Sequence, residues 1–315
     1  MQLHLYIQDL VGQSNSLTFG LFEGTELIGI SMGHIKHWYT GTEYFIDEAR
    51  DESYRLVSDC SRCSGLCCIA LYCFKSDGFP QNKPIGKPCI NLMGDYKCRI
   101  HNDLESMGMK GCIGYDCFGA GQYLTEEVYR GVTWQTQPER VKEICDLYIF
   151  MYRMFQLRFF LYESKKLVSS ETLLPEINQL LQENDAMCRL PVEELYEQPI
   201  DSYQAKVNHI LKKSCVELSK FIGAGNSKET NFLNRNFKGK DLSGFDFNMK
   251  PLIASNFENC KFKGATFIGT DTRDANFNGA DLREAVFLSQ GQINAAKGSR
   301  RTKLPKHLKY PVTWR

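Results

Sequence analysis

The sequence predicts a multidomain α+β protein with a cysteine-rich metal-binding module, a helical connector and a short coil with flat sides near the C-terminal end. Nine of the thirteen cysteines fall between Cys60 and Cys117. Large apolar residues recur every five positions between Phe232 and Phe287. Between these two regions, apolar residues follow the spacing of helices.

At 315 residues the chain is long enough for several domains, and we divide it into five segments. They are a small β-containing segment at 1–50, the cysteine-rich module at 51–137, the helical connector at 138–225, the repeat at 226–290 and a basic cap at 291–315. Within the first segment, residues 17–31 predict a hairpin that turns at Glu23 and Gly24.

The start of the chain predicts a cytoplasmic protein, because it lacks the basic, apolar and small-residue regions of a signal peptide. The most apolar stretch, 147–162, is short for a membrane span and contains two arginines, so we expect no membrane segment. The net charge is +1, yet residues 291–315 hold seven basic residues and no acid. Only Tyr310 and Trp314 offer stacking surfaces there and no nucleic-acid motif accompanies them, so nucleic-acid binding is not expected.

The five-residue period excludes a simple helix or strand, whose side chains repeat every 3.6 or 2 residues. The backbone must instead turn a corner about every five residues, which predicts a coil with flat sides. Eleven of the twelve positions in register are large and apolar. These positions are Phe232, Phe237, Leu242, Phe247, Leu252, Phe257, Phe262, Phe267, Thr272, Phe277, Leu282 and Phe287.

The neighbouring positions of the repeat suit such a coil. Small alanines precede several apolar positions by two residues, and glycines that turn easily follow several by two. Asn or Asp, whose side chains bond locally at bends, directly precedes eight of the twelve. These eight are Asn231, Asn236, Asp241, Asp246, Asn256, Asp271, Asn276 and Asp281.

The run from Ala275 to Glu284 resembles the pentapeptide-repeat family, whose members form a right-handed, four-sided β-helix. The resemblance implies three coils, stacked to a height of only ~14 Å at the spacing of strands. Cys260 stands at a small inward position and is expected in the core. Larger residues at four positions where the family has small ones predict an irregular first coil: Arg235, Lys240, Phe245 and Lys250.

Both ends of this coil need cover, because an open stack exposes backbone groups and apolar surface. Residues 203–222 predict a helix on the upstream side. The segment 287–314 resembles the ending common in bacterial pentapeptide-repeat proteins and is expected to cover the last coil. Alternatively, the basic C-terminal end, which contains Trp314, could form a homodimer contact.

The helical connector is predicted to contain a long helix at 138–166, apolar on almost every side and therefore covered by neighbours. A second helix is expected to begin near Pro175, which the first turn of a helix tolerates.

The cysteines point to metal ligation, because their number is odd and a reducing compartment keeps thiols free. The two-residue gap between Cys60 and Cys63 allows both thiolates to coordinate one metal ion. Cys67 and Cys68 are adjacent, and side chains of an extended backbone alternate between faces, so this pair suits two metals. Eight thiols then predict two four-ligand sites. The alternative is a set of buried free thiols or redox-labile cysteines.

The opening run from Cys60 to Cys68 resembles the CxxCxxxCC family of zinc- or iron-chelating proteins, and the stretch from Cys117 to Gln122 resembles a bacterial subgroup that carries this module ahead of pentapeptide repeats. The spacing does not identify the metal, but soft thiolates favour zinc or an iron–sulfur cluster. Cys73 and His101 are weaker candidates. The resemblance implies eight ligands: Cys60, Cys63, Cys67, Cys68, Cys89, Cys98, Cys112 and Cys117.

Phosphate loops, dinucleotide fingerprints, nucleophile elbows and HExxH motifs are missing from the sequence. The leading hypothesis is therefore a metal-binding protein whose repeat scaffold contacts a protein partner. The alternative is a metal- or iron–sulfur-dependent enzyme that modifies a peptide or protein, since similar motifs occur in proteins resembling flagellin lysine methylases. A third hypothesis, a DNA mimic that protects topoisomerase, is disfavoured because residues 231–290 hold eight basic and seven acidic side chains rather than a strong acidic excess.

Overall fold

The computed structural model describes residues 56–167, 173–195, 197–223 and 231–314 with nearly all their side chains, and the backbone of four strands between residues 6 and 48. The chain divides into two units, Met1–Arg55 and Leu56–Arg315. The strands of the first unit are β1 (Tyr6–Asp9), β2 (Ser16–Glu23), β3 (Glu26–Trp38) and β4 (Gly41–Glu48). The helices of the second are α1 (Leu66–Ala70), α2 (Lys110–Ile113), α3 (Ala120–Tyr123), α4 (Val141–Leu167), α5 (Leu173–Cys188), α6 (Val192–Leu195), α7 (Ile200–Ile222) and α8 (Gln290–Ala295).

The first unit is an antiparallel sheet with strand order β1-β2-β3-β4. Strands β2 and β3 form the predicted hairpin, with Glu23 opposite Glu26. Their register shifts between Leu21 and Phe22, which marks a bulge. Gly24, the second residue of the predicted turn, lies outside the described residues.

The second unit is centred on α4, which is buried on almost every side, as its all-round apolar sequence predicts. It packs against α1, α3, α5 and α7. One apolar core runs from Leu56 in the cysteine-rich module through α4 to Phe287 at the end of the coil. In the described ranges, every helix is too short or too polar to cross a lipid bilayer.

The repeat forms a β-helix-like coil. Parallel bridges join residues 20 positions apart, such as Asn236 with Asn256 and Asn256 with Asn276, so each turn of the coil contains four five-residue units. The apolar positions point inward, and Phe257, Phe267 and Phe277 are fully buried. All eight predicted Asn and Asp side chains accept the backbone N–H two residues further on, at 2.8–3.3 Å. Local hydrogen bonding therefore fixes the bends, as predicted.

In ten of the twelve units the corner lies two residues after the apolar position and has a left-handed backbone. Gly264 shows why glycine is favoured there, since its φ is +65° and a Cβ would lie 2.1 Å from Ile222 Cδ1 at the end of α7. Ala254 and Met249 occupy the same corner with φ of 56° and 59°.

The first coil keeps the regular backbone ladder: the N–H of Asn256 donates to Arg235 O at 2.8 Å, and that of Lys261 donates to Lys240 O at 3.1 Å. The expectation of an irregular first coil is therefore wrong for the backbone. Arg235 and Lys240 are exposed, and the Lys240 ammonium lies 5.3 Å from the centre of the Phe237 ring.

The C-terminal segment covers the last coil. Two further bridges, Asn276 with Lys297 and Asp281 with Lys303, extend the ladder beyond the repeats. Trp314 is only 2 % exposed and its Nε1 donates to Ala296 O at 3.1 Å. Because the indole ring is buried against its own chain, Trp314 is not available for the homodimer contact considered above.

Candidate functional site

Hydrogen bonds bring the two ends of the cysteine-rich module together. Ser58 Oγ donates to Asp116 Oδ1 at 2.6 Å, and the backbone N–H of Cys117 donates to Ser58 Oγ at 3.0 Å. The N–H of Asp59 donates to Gln122 Oε1 at 3.1 Å. Residues almost 60 positions apart in sequence therefore lie side by side.

One set of thiols gathers at this junction, and we name Cys60, Cys63, Cys67 and Cys117 the first thiol group. Gly121 of α3 leaves the space for it, because a Cβ there would lie 2.7 Å from Cys63 Sγ and 3.8 Å from Cys117 Sγ. Cys60 is exposed as a residue, yet desolvation of its thiol raises the pKa to about 12, with smaller contributions from the thiols of Cys117, Cys63 and Cys68.

A second set lies on the loops after α1, and we name Cys68, Cys89, Cys98 and Cys112 the second thiol group. The backbone N–H of Cys89 donates to Cys68 O at 3.0 Å, and Leu92 links Cys89 with Cys98 through a hydrogen bond and a bridge. Burial raises the pKa of Cys112 to about 12, and the thiols of Cys68, Cys73, Cys89 and Cys98 add to the rise.

The two groups meet at Cys67 and Cys68, whose sulfur atoms lie 4.0 Å apart. The backbone here is α1, which starts after Gly65 in a left-handed conformation, and not the extended segment we expected. Adjacent helical residues diverge by about 100°, which still directs the two thiols to different neighbours. The assignment of Cys67 and Cys68 to two metals stays a prediction, and the extended backbone on which it was based is wrong.

The weaker candidates differ in position. Cys73 is buried with Phe79 and Met109, beside the second thiol group. Its Sγ donates to Leu71 O at 3.8 Å. His101 is exposed on the short 3₁₀ turn His101–Asp103.

Lys83 is the residue that sequence reasoning missed. Its ammonium is buried and donates to the carbonyl oxygens of Ile69, Pro84 and Lys87 at 3.4, 3.3 and 2.9 Å. The pKa of Cys68 is lowered first by the hydrogen bond from Cys67 and then by this positive charge. Nothing in the sequence distinguishes Lys83 from the other lysines of the module, so its burial could not be predicted.

All thirteen cysteines are free thiols. Within the ranges the structure describes, no three or more His, Cys, Asp or Glu side chains are arranged to hold a metal ion. The eight-cysteine ligand set therefore stays a prediction, and zinc or iron–sulfur binding stays with it.

A cleft of about 400 Å³ opens beside the first thiol group, between the cysteine-rich module, α4 and the coil. Asp116 lines it next to Cys117; burial raises the pKa of this carboxyl, while hydrogen bonds from Ser58, Phe118 N–H and Gly291 N–H oppose the rise. Aromatic side chains of the module and of α4 form one wall, and residues 269–273 of the coil with α8 form the other. The sequence offered no sign of this cleft, because its walls come from three distant segments.

A family model matches the repeat, and a curated relative matches most of the chain. The family model of pentapeptide repeats matches eight copies over residues 252–287, which confirms the predicted repeat over that range. A solved pentapeptide repeat protein from the thylakoid lumen of Arabidopsis thaliana is 21 % identical, covers 28 % of this chain and 67 % of its own, and superposes with a TM-score of 0.12. The Bacillus subtilis (strain 168) "Uncharacterized protein YybG" is 34 % identical over 271 residues, which are 83 % of this chain and 96 % of that protein. Identity at this level over most of both chains shows that this pentapeptide-repeat-containing chain belongs to the family of YybG.

Proposed function

We propose that the protein is a metal-binding protein whose pentapeptide-repeat scaffold acts as a protein-interaction module. Eight cysteines would hold two centres, one on the first thiol group and one on the second. The observation that supports this proposal is that the thiol of Cys60 interacts with those of Cys63 and Cys117, the thiol of Cys112 interacts with those of Cys89 and Cys98, and Cys68 interacts with both sets while its sulfur lies 4.0 Å from that of Cys67.

The donor set fits zinc or an iron–sulfur cluster, because thiolate sulfur is soft and four thiolates complete either kind of site. Desolvation raises the pKa of the Cys60 and Cys112 thiols to about 12, so each would release a proton on binding metal. The ammonium of Lys83 would offset part of the negative charge of the second centre. A bound metal would supply the cross-link that draws the loops of the module together.

A protein partner is supported by the surface of the module. Six large apolar side chains are exposed in the segments that carry the second thiol group: Tyr72, Phe74, Ile85, Ile90, Met93 and Met107. Contiguous exposed apolar surface marks interaction sites in soluble proteins, and the rings of Tyr72 and Phe74 lie in contact, with centroids 4.6 Å apart. The coil adds nearly balanced charge, which suits protein contacts better than imitation of DNA.

A metal- or iron–sulfur-dependent enzyme that modifies a peptide or protein is the second candidate. One observation favours it: Ser58 Oγ contacts both Asp116 in the cleft and Cys117 Sγ, the latter at 3.1 Å. A molecule in the cleft would then lie beside the first centre.

The decisive experiment is metal and sulfide analysis, with visible absorption, of anaerobically purified protein and three serine variants. Wild-type protein should carry two centres; Cys117→Ser should lose the first and Cys112→Ser the second. The control Cys215→Ser, at a half-buried cysteine of α7, should keep both. Protein without stoichiometric metal, or equal loss in all three variants, would overturn the proposal.

The same samples separate the two candidate functions. A centre with an open coordination position should change its absorption when a small exogenous ligand such as azide or cyanide is added, whereas a site closed by four thiolates should not. A spectral change that disappears in Cys117→Ser would place the reactive centre on the first thiol group and favour the enzyme.

A further inference from the structure

The cleft beside Cys117 has one aromatic wall. Tyr115 and Tyr152 stack with ring centroids 5.7 Å apart, and Phe118 stands 6.3 Å from Tyr152. Phe160 of α4 lines the same side. Faces of aromatic rings carry partial negative charge and attract cations.

Acidic residues outnumber basic residues in the lining of the cleft. Lys110 Nζ is paired with Asp274 at 2.6 Å, and Arg273 is paired with Asp271 at 2.7 Å. Asp77 and Asp116 also line the cleft, and neither has an ion-pair partner among the residues that the structure describes. Arg273 is near enough to Asp77 for their charges to interact, whereas the carboxyl of Asp116 is held by hydrogen bonds and no basic side chain in the described residues contributes to its pKa.

The Asp116 carboxyl is held in place before any ligand arrives. Its Oδ1 accepts from Ser58 Oγ at 2.6 Å and from the N–H of Phe118 at 2.9 Å. Behind it, Gly291 and Gly114 pack so closely that a Cβ on Gly291 would lie 2.6 Å from Gly114 O. A fixed carboxylate binds a cation at a lower entropic cost than a mobile one.

The opposite wall offers few donors for an anion. Thr270 Oγ1 donates to Phe247 O at 2.8 Å and Thr272 Oγ1 donates to Gln292 O at 2.7 Å. Gln292 Nε2 donates to two carbonyl oxygens of the coil, Phe267 O and Thr270 O. These side-chain donors already bond backbone carbonyl oxygens and are not free to bind an anion.

We propose that this cleft binds a small organic cation, an alkylammonium or guanidinium group, between its aromatic wall and the carboxylates of Asp77 and Asp116. Its volume of about 400 Å³ lies in the range of small-molecule sites. The proposal goes beyond metal binding and does not rest on it, because the cleft is built without any thiol.

The test is calorimetric titration of the full-length protein with n-pentylammonium, tetramethylammonium and guanidinium, against the neutral 1-pentanol and the anion acetate. At least one cation should bind about tenfold more tightly than 1-pentanol, as expected for a charge held against aromatic rings and a carboxylate. Equal binding of cation and alcohol, a preference for acetate, or no binding of any cation would overturn the proposal.

Two variants locate the site. Asp116→Asn and Asp77→Asn keep the side-chain shape and should each weaken cation binding about fivefold to tenfold, while Asp103→Asn, exposed elsewhere in the module, should leave it unchanged. Circular dichroism checks the fold, and if Asp116→Asn does not fold, Asp77→Asn decides. Unchanged binding in a folded variant contradicts the assignment. Metal content measured on the same samples keeps this result separate from that of the metal proposal.

Discussion

The sulfur atoms of Cys67 and Cys68 lie 4.0 Å apart on α1, yet their thiols belong to different groups. The thiol of Cys67 interacts electrostatically with those of Cys60 and Cys63, whereas that of Cys68 interacts with Cys112 as well as with Cys60. A helix of five residues thus sets the spacing between the two proposed centres. Any change that displaces α1 should affect both centres together.

Gly121→Ala should disrupt the first thiol group selectively. The new Cβ would lie 2.7 Å from Cys63 Sγ, closer than real Cβ contacts allow, so the sulfur or α3 must shift. We expect a loss of about 1–3 kcal/mol in the free energy of unfolding from overpacking. Metal analysis should show one centre lost and the other retained.

Gly94→Ala is the matched control, because a Cβ at Gly94 meets nothing within 4 Å. Urea denaturation of both variants measures the difference. If Gly121→Ala keeps wild-type stability and full metal content, the described packing of α3 against Cys63 is wrong.

The ion pair between Lys110 and Asp274 joins α2 to a corner of the coil at 2.6 Å. A hydrogen bond from Lys110, with further help from Lys297, lowers the pKa of Asp274 below its ordinary value of 3.8. A carboxyl with a lowered pKa stabilises the fold above 3.8, and this contribution disappears as the pH falls through the lowered pKa. Because the pair is partly exposed, its contribution should stay below ~1 kcal/mol.

Asp274→Asn tests this pair with little backbone effect, since asparagine also tolerates the left-handed conformation found there, with φ of 58°. The variant should be less stable than wild type to urea at pH 7, and the gap should close as the pH falls below 3.8. Asp146→Asn removes an exposed pair within α4 and should cost less. A gap that persists unchanged in acid would contradict the electrostatic origin.

The coil could be predicted from sequence because its determinants are local. Each of these Asn and Asp side chains accepts a hydrogen bond from the N–H two residues further on, and ten of the twelve corners need only a residue that tolerates a left-handed backbone. Cys260 also lies where the repeat register places it, fully buried, with its Sγ donating to Phe237 O at 2.9 Å.

The site was less accessible to sequence reasoning, because its determinants are not local. Spacing singled out the cysteines, but it could not show that α1 replaces an extended segment at Cys67 and Cys68. Burial of Lys83 depends on three carbonyl groups whose positions arise only after folding. The cleft beside Asp116 requires α4 and the coil to pack against the module, which no motif encodes.

Ala254→Gly should stabilise the coil. Ala254 is exposed at a corner with φ of 56°, where a Cβ is unfavourable by about 1–2 kcal/mol, while the extra freedom of glycine in the unfolded chain costs about 0.5–1 kcal/mol. The net gain should therefore be about 0.5–1 kcal/mol, measured by urea denaturation. Ala205→Gly, at an exposed position inside α7, is the matched control and should lose about 1 kcal/mol, because helices disfavour glycine. Destabilisation by both substitutions would show that the corner at Ala254 does not hold the left-handed backbone described here.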